Sequence, residues 1–175
     1  MGIKSIVINE QQIEEGCQKA VNWCNAKFNN KKVIVLGILK GCIPFLGKVI
    51  SKFSFDLQLD FMAVASYHGS HVQKQPPKIV LDMSHDPKDK DILLIEDIVD
   101  SGRSIKLVID LLKTRHAKSI TLISLIEKIK PKAFDINIDF SCFKVKDNFL
   151  VGFGLDYDGF YRNLPYVGVF EPDNP

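Results

Sequence analysis

Hydrophobic residues recur at helical spacing early in the chain, at Ile13, Cys17, Ala20, Val21, Cys24 and Phe28. With Asn9 and Gln12 set three apart as in a capping box, this spacing predicts an amphipathic helix over residues 10 to 28. The period then changes. Val33 to Leu39 is a continuous apolar run of strand length, and Pro44 suits the first turn of a short helix reaching about Phe53. Leu57, Leu59 and Phe61 alternate with polar residues as strand positions do. Ser66 to Pro77 reads as a polar loop and Lys78 to Met83 as a short strand. Asp91 to Ile95 is a clearer strand, entering the acidic pair Glu96 and Asp97. After a turn at Ser101 and Gly102, the residues Ile105, Leu107, Val108, Leu111 and Leu112 mark a helix ending near Arg115. Ser119 to Ile126 is again a buried strand.

Apolar strands alternating with helices predict an α/β fold, a central parallel sheet flanked by helices on both faces. In such sheets ligands bind beyond the carboxyl ends of the strands, which directs attention to the connections after residues 39, 95 and 126. Composition leaves this picture intact. At 175 residues, 46% of them hydrophobic, the chain is expected to form one domain over residues 1–175. No repeat or low-complexity tract divides it, and only Glu171 to Pro175 look frayed. The 23 basic and 21 acidic side chains give a net charge of +2, too even to indicate nucleic acid or an anionic membrane as the main partner. Any anion site must be local. No apolar run approaches the roughly 18 residues of a membrane span, and the amino terminus lacks a secretory core, so a cytoplasmic location is expected. Cys17, Cys24, Cys42 and Cys142 form no C-x-x-C pair and are expected to be buried free thiols. His68, His71, His85 and His116 show no ligand spacing.

The strongest local signal runs from Leu93 to Ser104: a hydrophobic strand, the acids Glu96 and Asp97, two apolar residues, a third acid at Asp100, then the small-residue turn Ser101-Gly102-Arg103-Ser104 opening a helix. Backbone N–H groups at that helix start, with the hydroxyls of Ser101 and Ser104, would cradle a phosphate. The preceding acids would repel a polyphosphate unless they addressed hydroxyls or a metal. An isolated Ser-Gly turn is usually only a helix cap; the twelve-residue arrangement points instead to a phosphorylated sugar.

This segment resembles the phosphoribosyl diphosphate signature of the type I phosphoribosyltransferases, and further segments resemble the purine-salvage branch, the hypoxanthine-guanine phosphoribosyltransferases. The likeness spans about residues 33 to 170. Leu39-Lys40-Gly41 is similar to the family's pyrophosphate loop, and Ser66-Tyr67 opens a loop similar to its mobile hood. Lys128 stands after a buried strand at the place of the base-recognition lysine, and Phe149 to Tyr166 resembles the purine-stacking and metal segment. These segments occur in the family's order and spacing.

The resemblance implies the type I phosphoribosyltransferase fold with a small hood subdomain, and transfer of 5-phosphoribosyl from phosphoribosyl diphosphate to N9 of hypoxanthine or guanine, giving IMP or GMP. It assigns Glu96 and Asp97 to the ribose hydroxyls, directly or through Mg2+, with Asp156 as a further magnesium ligand. Asp100 becomes the general acid/base at N7. Ser101, Gly102, Arg103 and Ser104 bind the 5′-phosphate, while Lys40, Gly41 and Arg162 handle pyrophosphate. Phe149 stacks on the base, Lys128 donates to its 6-oxo group, and the Leu150 backbone reads the opposite edge. The family also implies a homodimer or homotetramer. Without the family, Lys128 would read as one of a solvated lysine cluster with Lys130 and Lys132, Phe149 as core, and Asp156 with Arg162 as a surface ion pair.

Overall fold

The computed structural model describes residues 2–65, 76–131 and 133–171. The chain runs β1 (Gly2–Ile8), α1 (Glu10–Lys27), β2 (Lys32–Leu39), α2 (Ile43–Val49) with a 3-10 turn (Ile50–Lys52), β3 (Asp56–Ala65), β4 (Lys78–Leu81) and β5 (Asp91–Val99). It continues through α3 (Arg103–Thr114), β6 (Ser119–Lys128), β7 (Phe140–Val145), β8 (Leu150–Val151) and β9 (Val167–Glu171). Six strands form the main sheet in the order β4-β3-β2-β5-β6-β7. All neighbours are parallel except β4, which returns antiparallel along β3 at the edge. The expected parallel sheet thus carries one reversed edge strand, β4.

A second, antiparallel sheet in the order β1-β9-β8 joins the two ends of the described chain, with Gly2 opposite Glu171 and Leu150 opposite Val169. No periodicity announced it: β8 is two residues long, and β9 includes Glu171, which the sequence suggested was frayed.

The period-two alternation of the strands feeds two cores. Val33, Val35, Leu93, Ile95, Ile123 and Leu125 pack against α1 and α2. Ile34, Leu36, Ile92, Leu94 and Leu122 pack on the other face, against Ile105, Val108 and Leu112 of α3. Helix α1 starts where expected, since Asn9 Oδ1 accepts from the Gln12 N–H and Gln12 Oε1 accepts from the Asn9 N–H, both at 2.8 Å. Cys17, Cys24 and Cys42 are buried free thiols, and burial pushes them up to about 11, 12 and 12. Cys142, also free, is only partly buried. Among the described residues no helix is long and apolar enough to cross a membrane.

Two strands run further than the hydrophobic pattern suggested. Pairing of β5 with β6 continues through Ile98 opposite Ile126 and Val99 opposite Glu127. Glu96 and Asp97 therefore belong to a strand rather than to the connection after it, and Lys128 is the last residue of β6 rather than a residue following it. On β3 the polarity of the alternation is partly inverted: Leu59 is exposed and Asp60 is 7% exposed. The reason lies at long range. Asp60 accepts hydrogen bonds from the N–H groups of Phe61, Ser84 and His85, from Ser84 Oγ, and from His85 Nδ1 at 2.7 Å. These anchor the turn after β4 to the sheet.

Burial works against the charge of Asp60, but the hydrogen bonds from His85, Phe61 and Ser84 together prevail and hold its carboxyl at about 2, against an ordinary 3.8. A depressed folded value means stability that is present above pH 4 and lost as pH falls through 2, on the order of 2 kcal/mol. Urea unfolding of the wild type and Asp60→Asn across pH 2–6 should show the wild-type advantage shrinking below pH 4. An advantage constant over that range would contradict the linkage.

Candidate active site

Strands β2, β5 and β6 lie side by side, so their carboxyl ends bring the segments beyond Leu39, Val99 and Lys128 together. Glu96 is buried on β5 opposite Ser124 of β6, whose side chain is fully buried. Glu96 Oε2 and Ser124 Oγ have no protein hydrogen-bond partner. Buried polar atoms are nearly always paired, so two orphans at paired positions of adjacent strands form a place for hydroxyl donors or a cation from outside the chain. Burial, then the neighbouring charge of Asp97, push the Glu96 carboxyl well above its usual range. Asp97 keeps some open surface yet sits deep among protein atoms, and burial pushes it to about 6 although the Ile98 N–H and the Arg162 charge pull the other way.

Gly41 lies against this pair. A Cβ there would come well under 3.0 Å from Asp97 Oδ2, so only glycine admits the carboxylate. On its other side Gly154, with φ +100°, packs so closely that a Cβ would strike the Gly41 carbonyl. The Lys40-Gly41 turn is thus held between Asp97 and the 154 backbone, with the Lys40 side chain exposed and the Leu39–Lys40 peptide cis. Arg162 ties the outer layer together: Nη1 donates to Gly154 O at 2.6 Å, and Nη2 pairs with Asp156 Oδ1 at 2.7 Å. Asp156 Oδ2 also accepts from the Gly159 N–H at 2.8 Å, which closes the turn through Asp158. Asp156 and Arg162 are therefore parts of one assembly with Gly41 and Asp97, not an isolated surface pair.

Helix α3 opens on Gly102, in the left-handed region at φ +79°, with no side-chain cap. Ser101 Oγ reaches the Arg103 N–H only at 3.5 Å, so Ser101 does not cap the helix in the ordinary way. A twelve-residue helix with no side-chain cap has the positive end of its dipole beside Ser101 and Ser104, an arrangement that suits an anion. Ile136 covers the back of Gly102, and the Ala133 N–H donates to Ser101 O at 3.2 Å, which fixes the turn.

The third part is a ring of charges. Lys128, 8% exposed, donates to Asp100 Oδ2 at 3.2 Å and to Asp147 Oδ1 at 3.0 Å. Lys130 pairs with Asp100 Oδ1 and with both Asp147 oxygens, at 3.1 and 3.2 Å. Close by in the chain, the Phe149 ring is 49% exposed, with the edge of Tyr157 at 5.8 Å and Phe170 behind it at 6.1 Å. Phe149 is thus not core; its ring is half-open and suited to stacking. Leu150 is buried in β8. Ser66 and Tyr67 of the hood loop fall outside the described residues.

Asp147 and Ser124 had no visible signal: one is a lone acid in a polar connection, the other a serine inside an apolar strand. Among the described residues no three acidic, histidine or cysteine side chains gather as a ready metal cage. The donors present nevertheless suit magnesium, a hard cation that binds through one or two carboxylates and keeps waters and substrate phosphates as its other ligands. The orphaned Glu96 Oε2 and the raised Asp97 would both be stabilised by such a charge.

The pattern of the phosphoribosyl transferase domain matches residues 5–158. A hypoxanthine-guanine phosphoribosyltransferase of Mycoplasma pneumoniae is 73% identical over 174 residues, 99% of each chain, and one of Lactococcus lactis is 39% identical, covering 98% of this chain and 93% of that one. The crystal structure of a hypoxanthine phosphoribosyltransferase from Staphylococcus aureus superposes with a TM-score of 0.91 at 33% identity, over 98% of this chain and 93% of that chain. A shared fold, near-complete mutual coverage and high identity together leave one assignment: this chain belongs to the hypoxanthine-guanine phosphoribosyltransferases of the phosphoribosyl transferase domain family.

Proposed function

We propose that the protein transfers the 5-phosphoribosyl group of phosphoribosyl diphosphate to N9 of hypoxanthine or guanine, with Mg2+, forming IMP or GMP and pyrophosphate. One observation carries the reading: segments 40–41, 96–104, 128 and 149–162, far apart in sequence, meet at the carboxyl ends of the central strands around a buried acid pair and a helix start with no side-chain cap. In this reading Ser101, Gly102, Arg103 and Ser104 take the 5′-phosphate on the α3 terminus. Glu96 and Asp97 accept from the ribose hydroxyls, directly or through magnesium, and Asp156 would help to hold a magnesium ion. Bound magnesium supplies positive charge to the diphosphate. The backbone at Lys40 and Gly41, with Arg162, receives the departing pyrophosphate, whose charge develops as C1′ becomes oxocarbenium-like.

Phe149 stacks on the purine, the Leu150 backbone reads its far edge, and Lys128 donates to the 6-oxo group. An ammonium cannot accept, so the 6-amino group of adenine would meet donor with donor. Asp100 holds or moves the proton at N7. Ser66 and Tyr67 belong to the hood that keeps water from the activated sugar. Family membership supports a homodimer or homotetramer.

Product formation from phosphoribosyl diphosphate and Mg2+, with hypoxanthine, guanine and adenine offered separately against a no-base control, tests the proposal. Nucleotide is expected from both oxopurines and none above control from adenine. Binding of the diphosphate without nucleotide from any base would overturn it.

A further inference from the structure

We propose that Asp147, backed by Lys130, is a positioning residue that aims the Lys128 ammonium at the 6-oxo group of the base and so contributes to the selection of oxopurines. The inference rests on the base-recognition role of Lys128 given above.

An ammonium carries three N–H donors and turns freely about its last bond unless its partners fix it. In Lys128 two donors are engaged, by Asp100 Oδ2 and Asp147 Oδ1. The third then has its direction set by the other two. The backbone that carries the side chain is held as well: the Ile129 N–H donates to Val145 O at 2.8 Å and the Lys130 N–H to Lys128 O at 3.0 Å. Remove the Asp147 carboxylate and two donors are unspent, leaving the ammonium free to settle on Asp100. That loses the aimed donor and draws the Asp100 carboxylate away from N7.

Lys130 completes the arrangement. It bridges Asp100 and Asp147, so two cations face two carboxylates. While Lys128 offers its third donor to the base, Asp100 and Asp147 also share Lys130 as a positive partner. The two lysines, Lys128 first, keep the Asp147 carboxyl below its usual range, so it stays an acceptor at neutral pH. The chain delivers Asp147 by simple means: it stands two residues before Phe149, so the short β7–β8 connection supplies both the ring against the base and the acid beside the lysine.

The test is steady-state kinetics of Asp147→Ala, Asp147→Asn and Lys128→Ala, varying base and phosphoribosyl diphosphate in turn. Asp147→Ala should raise KM for hypoxanthine and guanine about tenfold, the scale of one charge-assisted hydrogen bond, and leave KM for the diphosphate unchanged. Asp147→Asn should recover part of the loss, because its amide oxygen still accepts one N–H. An unchanged base KM in Asp147→Ala, or an equal rise in both KM values, would overturn the inference. Lys128→Ala separates the two levels. If it raises base KM while Asp147→Ala does not, positioning alone fails; if it too leaves base KM untouched, the base-recognition role of Lys128 fails. Asp147 is about half exposed, outside the core; should the alanine variant nevertheless not fold, the asparagine variant decides alone, with a base KM between wild type and Lys128→Ala expected and a wild-type value excluding the role.

Discussion

Asp100→Asn should turn over about 10²–10⁴-fold more slowly than wild type, while KM for phosphoribosyl diphosphate changes little. The loss corresponds to roughly 3–5 kcal/mol of barrier, the usual contribution of a positioned general acid/base. Asparagine keeps the shape of the side chain and one acceptor oxygen but cannot take up or hold a proton at N7. The surroundings limit collateral damage. Lys128 and Lys130 both retain Asp147 as a carboxylate partner, and Asp100 is itself 42% exposed, outside the packed core. The phosphate turn at Ser101 and Gly102 is held from behind by Ala133 and Ile136, independently of the Asp100 carboxylate. Product formation under saturating substrates measures the effect, and wild-type turnover would remove Asp100 from the proton's path.

Gly41→Ala should lower kcat/KM for phosphoribosyl diphosphate by about 10²-fold, the penalty for displacing reacting groups by an ångström or so. The added methyl would meet the Asp97 carboxylate on one side, while the Gly41 carbonyl is hemmed in by Gly154 on the other. Either Asp97 leaves its place or the turn leaves the arginine layer; both separate the proposed ribose and pyrophosphate sites. Gly41 is buried, and its neighbours Leu39 and Cys42 pack in one of the cores, so the melting temperature should fall as well; the kinetic loss is measured at a temperature where the variant is folded. Unaltered diphosphate kinetics would show that the close approach is incidental.

What could be read from the sequence was what the chain encodes locally. The α1 capping box, the apolar runs of β2, β5 and β6, and the turn-helix start at Ser101 to Ser104 each lie within one short stretch and form where expected, although β5 and β6 continue past their apolar runs and take in Glu96, Asp97 and Lys128. Features set by distant partners were not legible. Asp60 is buried because residues 84 and 85 supply donors across a gap in sequence that periodicity cannot bridge. Leu59 is exposed on the same strand, against the simple alternation. The strand β8 is too short to leave a period, and exists because β9 returns beside it. The candidate site divides in the same way: the resemblance indicated Lys128 and Asp100, but nothing in the lysine-rich stretch indicated that Asp147 would join them.

The terminal sheet has a consequence for the growing polypeptide. Phe149 leans on Phe170 of β9, and the tilted rings of Tyr157 and Tyr161 pack around the same ring, at 4.6 and 5.2 Å. During synthesis the phosphate turn, the acid pair and the lysines are all made before that ring exists. A ribosome-bound chain stopped ahead of β9 therefore carries the proposed sugar-phosphate half of the site without a finished purine platform. On the proposed assignment, the purine platform is the last part of the site for which the chain is made.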